Sequence, residues 1–458
     1  MSGYPRRMKP PANNGHGYRT IEAGTGCGMR GTILAHHQNG YIMEIPGKLS
    51  TQKRVVIVGA GFAGLALAKK LSPIYFQVIL IDKNNYHQFQ PLLYQVATAG
   101  LEPNSISFPL RKVFQKKKNV FIRIAEVTAV HPADKKISTS TGELEYDFLV
   151  LAHGAVTNYF GMSDIAQNAF SMKSVSEALL LRNTLLQNYE QALIARSSEE
   201  REALLNIVIV GGGPTGVELA GAIAEMKTQI LPRDYPELNF DHMQIHLVEA
   251  APRLLNGMSE QSAAKVRSYL EALGVKVHAG ISVKRYNGYT AALSNNATLY
   301  THCLIWAAGI KGRALTGVPA ETLRTNDNIS VDEFNRLKGQ HSIFALGDAA
   351  WMQTPAHPRG YPQVAPVAMQ QAVQLADNLK RLVQQKEMKP FRYRDKGSMA
   401  IVGRNRAVAE SGKIRLRGFA AWIAWLLVHL MSIIGVKNRL LILVNWMWQY
   451  ITYDQSLR

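Results

Sequence analysis

The sequence predicts an α/β protein, and two observations carry this prediction. Strand-type and helix-type segments alternate from about residue 53 to about residue 350, as they do in α/β architecture. A unit of apolar strand, glycine-rich turn and helix occurs twice, starting at residues 54 and 206. The 458 residues are enough for two or three domains with cores of their own.

The first unit has the features of a Rossmann-like dinucleotide-binding fold. Residues 54–58 are largely apolar and lead into glycines, which is typical of a buried parallel strand. Glycines at Gly-x-Gly-x-x-Gly spacing allow a tight turn, a close approach of backbone N–H groups to a pyrophosphate, and packing of the helix on the strand. The residues of this first loop are Gly59, Gly61, Phe62, Ala63 and Gly64. The next strand ends in Asp82, which can accept hydrogen bonds from an adenosine ribose. The alternative is a tight turn with an incidental aspartate.

The second unit repeats this pattern after the strand at residues 207–210. The residues of this second loop are Gly211, Gly213, Pro214, Thr215 and Gly216. The matching strand ends in Glu249, whose carboxylate would repel a ribose 2′-phosphate, so we expect a preference for NADH over NADPH. Arg253 lies close by in the sequence and partly opposes that preference. The alternative is a degenerate copy that binds nothing.

Two such units predict two dinucleotides, a permanent flavin (FAD) and a diffusing nicotinamide (NADH), because hydride can pass directly between their rings. A third segment supports the flavin. Here an apolar strand runs into Gly347, Asp348 and Ala349 at a helix start. Asp348 can bond the flavin ribityl chain while the helix N-terminus faces the pyrophosphate.

Composition limits the remaining function classes. The net charge of +19 favours nucleic acid, anionic membrane or acidic ligands. We expect no nucleic-acid partner, because zinc-finger spacing and an aromatic RNA-binding signature are both missing from the sequence. Two cysteines, Cys27 and Cys303, exclude a disulfide scaffold and a cysteine-rich metal site, and we expect no metal. They also disfavour a thiol–disulfide or sulfide-oxidising flavoprotein, which needs a cysteine pair beside the flavin.

Residues 1–52 are rich in glycine, asparagine and proline and predict a flexible tail. Met43 opens the stretch just before the first strand. Two hypotheses remain open: that Met43 is the natural start, and that residues 1–42 are a real disordered arm.

Composition shifts after about residue 412, and the last 40 residues hold four of the six tryptophans, Trp422, Trp425, Trp446 and Trp448. Residues 419–434 form a mostly apolar stretch of 16 residues, shorter than the ~20 that a membrane-spanning helix needs. Basic residues flank this stretch, and residues 440–453 are apolar with several aromatic side chains. This pattern predicts amphipathic helices that lie in the lipid headgroup region, with a buried dimer interface as a compatible alternative. We interpret His429 as structural.

Taken in order, the motifs resemble those of type II NADH dehydrogenases, the single-subunit, non-proton-pumping NADH:quinone oxidoreductases. The resemblance runs from about residue 53 to the end, and its most specific segments are residues 84–97, 151–155, 211–221, 306–310, 347–349 and 422–453. It implies hydride transfer from NADH to FAD and electron transfer to a membrane quinone in a respiratory chain. It further implies a peripheral protein on the cytoplasmic face of the inner membrane. A homodimer is one assembly that the resemblance allows. A soluble reductase would leave the apolar tail unexplained, and a nucleotide-binding protein without turnover would not need both ribose acids.

The resemblance also assigns roles by residue. Glu218 matches a glutamate near the contact between nicotinamide and flavin, although the helix dipole alone would also favour an acid there. Further residues implied at the FAD are Lys83, Gln95 and Gly154, and at NADH, Gly309. The quinone region would include Pro91, Leu92, Ala365, Ala368, Gln370 and Gln371.

Two positions depart from the family pattern. Pro366 stands where the family usually has glutamine, and His153, which we interpret as a packing residue, replaces a common threonine. The predicted division is a tail at 1–52, an FAD domain at 53–165 and 323–395, an NADH domain at 166–322 inserted in it, and a membrane-associating segment at 396–458.

Overall fold

The computed structural model describes residue 43, residue 47 and residues 49–453. Most of the predicted tail, and with it the question of the natural start, lies outside the described residues. Met43 itself is buried, and its N–H donates to the Glu143 carbonyl at 3.1 Å. At this residue the chain is therefore attached to the folded unit.

The first part of the chain is rich in short strands. Its strands are β1 Lys53–Val58, β2 Phe76–Asp82, β3 Tyr86–Gln88, β4 Ser107–Pro109, β5 Val120–Ile124, β6 Val127–His131, β7 Lys136–Thr139, β8 Gly142–Glu145, β9 Phe148–Leu151 and β10 Val156–Thr157. Its helices are α1 Phe62–Lys70, α2 Leu93–Ala97, α3 Pro103–Ile106 and α4 Leu110–Val113.

The middle part holds the second glycine loop. Its helices are α5 Ser163–Asn168, α6 Val175–Ile194, α7 Ser198–Leu205, α8 Pro214–Gln229, α9 Leu231–Asp234 and α10 Glu260–Ala272. Its strands are β11 Ile207–Val210, β12 Ile245–Glu249, β13 Val275–Ala279, β14 Val283–Tyr286, β15 Thr290–Leu293, β16 Thr298–Tyr300, β17 Cys303–Trp306 and β18 Ile310–Lys311.

The chain then returns to the first sheet and ends in a separate small unit. The elements of the return are β19 Ile329–Val331, β20 Ile343–Ala345, β21 Ala350–Met352 and α11 Ala365–Val383. The terminal elements are β22 Ser398–Ile401, β23 Ala407–Ser411, β24 Ile414–Arg417, α12 Gly418–Ser432 and α13 Val436–Thr452.

Two parallel sheets form the framework. The first has the strand order β20-β9-β1-β2-β5 and the second the order β13-β12-β11-β17. Their central strands β1 and β11 are mostly buried apolar residues, as expected for parallel strands covered on both faces. In the sequence, β20 comes after every strand of the second sheet, yet it pairs with β9 in the first sheet. The second unit is therefore inserted in the first. The predicted α/β fold with an inserted domain is confirmed.

The antiparallel pair β10–β18 lies where the chain passes between the two sheets, with Thr157 opposite Ile310. The C-terminal unit is a three-stranded antiparallel sheet, β22-β23-β24, followed by α12 and α13. The sequence indicated the two helices but not this sheet. Within the described residues, no helix combines the length and apolar content needed to cross a bilayer.

Candidate functional site

The first glycine loop leaves an open space in front of the N-terminus of α1. Gly59 has φ +99°, and a Cβ there would lie 2.4 Å from the Ala152 carbonyl oxygen. A Cβ on Gly64 would lie 1.9 Å from the Gly59 carbonyl oxygen, so this position also requires glycine. A Cβ on Gly61, in contrast, would have no heavy atom within 4 Å. The loop thus packs tightly on the protein side and is open on the side where a pyrophosphate would bind.

The second loop has the same construction at the N-terminus of α8. Gly211 has φ +112°, and its Cβ would meet the Ala307 backbone at 2.7 Å. A Cβ on Gly216 would lie 1.9 Å from the Gly211 carbonyl oxygen, and one on Gly213 would meet nothing within 4 Å. Pro214 is at the first helical position, where a missing N–H costs nothing. The residues present at both loops fit a dinucleotide.

The two acids predicted to bind ribose are held by equivalent backbone hydrogen bonds. Asp82 accepts from the backbone N–H of Ala60 at 2.7 Å and of Asn84 at 2.8 Å. Glu249 accepts from the N–H of Gly212 at 2.5 Å and of Ala251 at 2.7 Å. Burial raises the pKa of Asp82, although these hydrogen bonds lower it. A carboxylate has about four acceptor positions, so each acid retains capacity for ribose hydroxyls.

The segment Gly347–Ala349 lies between α1 and α11. The Gly347 N–H donates to Gln371 Oε1 at 2.8 Å, and a Cβ on Gly347 would lie 3.1 Å from the Ala368 methyl group. Burial raises the pKa of Asp348, and the charge of Lys173 lowers it. Lys173 therefore belongs to this end of the site, a residue that the sequence did not single out.

Other residues predicted at the cofactors lie in varied surroundings. Lys83 is exposed, and Gly154, with φ +76°, borders open space. Gly309 lies under the Phe160 ring, whose Cζ would be 2.8 Å from a Cβ at that position. His153 contacts the Arg313 carbonyl oxygen through Nε2 at 3.0 Å, which fits a packing residue next to the link between the sheets.

The predicted quinone residues come from two separate segments. Leu92 is fully buried and supports its loop from within, while Pro91 is partly exposed. On the first turns of α11, Ala365 is partly exposed and Ala368 is buried. The side chain of Gln370 exchanges hydrogen bonds with the Arg394 backbone.

Glu218 is a buried carboxyl group on the helix that follows the second glycine loop. It lies on the second turn of α8, is 7% exposed, and accepts a hydrogen bond from the Trp425 indole at 3.2 Å. Burial raises its pKa to about 8, against the opposing effects of hydrogen bonds from Trp425 and the Ile401 backbone. The acid therefore carries a proton at pH 7, which a dipole-stabilised surface glutamate would not.

The C-terminal unit completes the surroundings of Glu218. Trp425 has no exposed surface and stacks on His429 with 3.9 Å between ring centroids. His429 Nδ1 contacts the Trp425 carbonyl oxygen, and burial lowers the pKa of His429 to about 4, consistent with a structural role. A cavity of about 120 Å³ lies between this unit, α2 and α8. The sequence predicted helices in the lipid headgroup region, with a buried dimer interface as the alternative, whereas Trp425 lies in the core of this chain.

The outer surfaces of α12 and α13 are apolar and exposed. Their exposed side chains include Phe419, Leu427, Val428, Met431, Leu440, Val444, Met447, Trp448 and Ile451. Exposed apolar side chains in this number are typical of a surface that binds a partner or a membrane.

Comparison with known proteins identifies the family. A model described as pyridine nucleotide-disulphide oxidoreductase matches residues 53–372, and one described as NDH2 C-terminal domain matches residues 396–452. The type II NADH:quinone oxidoreductase NdhA of Mycobacterium tuberculosis is 35% identical over 424 residues, which is 88% of each chain. The chain belongs to the type II NADH:quinone oxidoreductase family. The membership expected from the motifs is confirmed.

Other type II NADH:quinone oxidoreductases agree with this assignment. One from Staphylococcus aureus is 30% identical over 359 residues, covering 77% of this chain and 88% of its own. The structure of NDH2 from Plasmodium falciparum in complex with NADH has a TM-score of 0.82 at 22% identity, covering 89% of this chain and 99% of that one. At this level of identity the likeness concerns the fold.

Three features of the site in this type II NADH:quinone oxidoreductase were not predicted from the sequence. Tyr94 is buried beside Glu218, Glu225 lines the same cavity, and Trp425 reaches in from the C-terminal unit. Glu218 and Glu225 are two helical turns apart, and this spacing could have indicated from the sequence that both lie on the same face of α8.

Proposed function

We propose that this chain oxidises NADH and reduces a membrane quinone, with FAD as its bound cofactor, as a step of a respiratory chain. The observation that carries the proposal is the pair of equivalent loops, each with an open glycine, a helix N-terminus and a backbone-anchored acid. Two different dinucleotides can therefore be held by one folded unit. When bound, FAD supplies the two-electron chemistry that links NADH oxidation to quinone reduction.

The first loop and its neighbours hold FAD. Gly61 leaves space for the pyrophosphate, Asp82 accepts from the adenosine ribose, and Asp348 lies near the ribityl chain. Lys83, Gln95 and Gly154 belong to the same site by family resemblance. Since α1 and α11 meet at Gly347, this site is shared between the two parts of the chain that form the first sheet.

The second loop holds NADH. Gly213 leaves space for the pyrophosphate, Glu249 accepts from the adenosine ribose, and Gly309 borders the bound nucleotide. The Glu249 carboxylate disfavours the 2′-phosphate of NADPH, so NADH is the preferred donor.

Glu218 acts near the reacting rings as an acid. A buried carboxyl group with a pKa of about 8 is protonated at neutral pH and can donate a proton when a quinone is reduced. Quinone approaches through the region of Pro91 and the start of α11, where Ala365, Gln370 and Gln371 lie. Pro366 stands at the N-terminal end of this helix, a position where proline is tolerated.

The apolar outer surface of α12 and α13 binds the lipid surface, assisted by neighbouring basic residues. The protein is then peripheral, on the cytoplasmic face of the inner membrane, and its quinone arrives from the bilayer. The alternative is that the same surface forms a homodimer contact. Flotation with vesicles and sedimentation without lipid distinguish the two. In this assignment residues 53–165 and 323–395 form the FAD domain, 166–322 the NADH domain and 396–458 the membrane-associating unit.

Thiol chemistry is disfavoured by the surroundings of Cys303. This cysteine has no exposed surface, and burial raises its pKa to about 12, so the reactive thiolate is suppressed.

Anaerobic mixing tests the proposed function directly. Purified protein should carry the absorbance of a bound flavin, which NADH should bleach and a ubiquinone or menaquinone should restore. Bleaching without restoration by either quinone would instead favour a reductase of another acceptor. Flotation with lipid vesicles, together with sedimentation of the lipid-free protein, separates membrane binding from dimerisation.

A further inference from the structure

One face of α8 lines a cavity that leads away from the cofactor loops. Four residues of α8, spaced at intervals of four, three and four, line this cavity: Glu218, Ala222, Glu225 and Gln229. The opposite walls come from α2 and from the C-terminal unit. Glu218 is buried at one end, whereas Glu225 and Gln229 are partly exposed. Glu218 and Glu225 are two turns apart, about 10 Å along the helix axis.

Glu225 is held at the outer part of this cavity. Its carboxylate accepts the Arg404 N–H at 2.5 Å, and a Cβ on Gly403 would lie 2.5 Å from the same carboxylate oxygen. Gly403 has φ +89°, so both conformation and space require glycine here. The Arg404 guanidinium donates to the carbonyls of Gln449 and Tyr450 at the end of α13. Burial raises the pKa of Glu225, and the Arg404 hydrogen bond and the charges of Arg404 and Arg406 lower it.

Tyr94, on α2, lines the same cavity as the two acids. It is buried, and its hydroxyl oxygen accepts from the Gln95 side chain at 2.9 Å, which leaves the hydroxyl proton for donation. Burial and the carboxyls of both Glu218 and Glu225 raise the pKa of Tyr94, so the hydroxyl stays neutral. Because the cavity volume is about 120 Å³ and its walls are partly polar, there is room for water molecules to bridge the remaining gaps.

Quinone reduction has a proton requirement that NADH alone does not meet. A quinone becomes a quinol by taking up two electrons and two protons. NADH releases two electrons and one proton as hydride and becomes NAD⁺. The second proton must come from water, so the balanced reaction is NADH, quinone and one proton giving NAD⁺ and quinol.

On the basis of the proposed function, we infer that this cavity is the route of that proton, from the partly exposed Glu225 through Tyr94 and water to Glu218. Glu218 donates its proton to the reduced quinone and is reprotonated along the α8 face. Glu225 and Tyr94 act through Glu218 and do not touch the substrates.

The test uses the full-length enzyme with bound FAD and compares the variants Glu225→Gln and Tyr94→Phe with the wild type in stopped-flow experiments. Glutamine can still accept the Arg404 N–H, so the fold at Gly403 should persist. Glu237→Gln, at an exposed position outside the cavity, is the matched control. Each reaction is followed in H₂O and D₂O across the pH range.

Bleaching of the flavin by NADH should be unchanged in all variants, as should the reduction of ferricyanide, which takes up no proton. Reoxidation by a short-chain ubiquinone analogue should be slowed about tenfold or more in Glu225→Gln and Tyr94→Phe, whereas losing the general acid itself typically costs about 10²–10⁴-fold. The solvent isotope effect on this step should increase, and the control should match the wild type. Quinone rates and isotope effects equal to wild type in both variants would overturn the inference. Failure of the wild type to reduce any quinone would instead refute the proposed function.

Discussion

Trp425 donates its indole N–H to Glu218 Oε1 at 3.2 Å, across 207 positions of the sequence. The C-terminal unit therefore does more than present an apolar surface, because it donates a hydrogen bond to the buried acid on the second turn of α8. The hydrogen bond favours the charged form of Glu218, while burial favours the neutral form and is the larger effect.

Replacing Trp425 by phenylalanine keeps an aromatic ring but removes the donor. The pKa of Glu218 should then rise above about 8, by roughly one unit for a charge-assisted hydrogen bond. In the proposed function the protonated acid is the active form, so the alkaline fall in the rate of quinone reduction should move to higher pH. The pH profile of flavin reoxidation measures this. Trp446→Phe, which loses a donor to the neutral Gln95, should leave the profile in place, and an unmoved profile in Trp425→Phe would argue against Glu218 as the acid.

Asp82→Ala should lower the retention of FAD. The substitution removes the acceptor for the ribose and also the anchor for the N–H groups of Ala60 and Asn84. We expect a loss of about 1–3 kcal/mol in FAD binding. Flavin content after purification and titration of the apoprotein with FAD measure it, with the exposed Asp134→Ala as control. Unchanged FAD affinity would remove the first loop from the FAD site.

Glu249→Arg should weaken the use of NADH and improve the use of NADPH, because an attractive charge replaces a repulsive one beside the 2′-position. The ratio of kcat/KM for the two cofactors should shift by at least tenfold, about 1.4 kcal/mol. Glu249→Gln, which removes the charge but can still accept the Gly212 N–H, should give an intermediate ratio. An unchanged ratio in both variants would exclude Glu249 from cofactor selection.

Membrane binding should depend on the outer surface of α12 and α13. The triple variant Leu427→Glu, Val444→Glu and Ile451→Glu changes side chains that are 57%, 60% and 75% exposed, so the fold should be retained. Charges on this surface should abolish flotation with lipid vesicles and lower activity with long-chain quinones, while ferricyanide reduction persists. Ile194→Glu, at an exposed apolar position on α6, is the control. Persistent flotation would place the anchor elsewhere, and loss of a dimer without loss of flotation would identify the surface as a subunit contact.

A deletion of residues 413–458 would test the apolar surface cleanly only if the cofactor sites were built independently of this unit. The structure argues against that design. Trp425 and Ile442 are fully buried, and Trp425 reaches Glu218. Removing them would expose the face of α8, so activity of any kind could be lost with the core.

The local parts of the site were predictable because local sequence determines them. The glycine spacings and the acids at the ends of β2 and β12 specify two loops whose shape depends on a few neighbouring residues. The environment of Glu218 was not predictable in the same way. An apolar helix with tryptophans does not reveal which of them faces protein and which faces lipid, and so Trp425 and Trp448 could not be distinguished. The role of Glu225 depends on Gly403 and Arg404, which only the fold brings to it.

The late return of β20 to the first sheet has a consequence for how the protein is made. In the finished sheet, Leu149 of β9 lies opposite Ile343 of β20. During translation, the backbone groups on that edge of β9 stay unpaired until every strand of the second sheet, and then β20, has been synthesised. The inserted domain should therefore fold first, during translation, while the domain that encloses it closes only near the end of synthesis. An open strand edge is prone to pairing with other chains, so the interval between residues 149 and 343 is when the nascent chain is most exposed to aggregation.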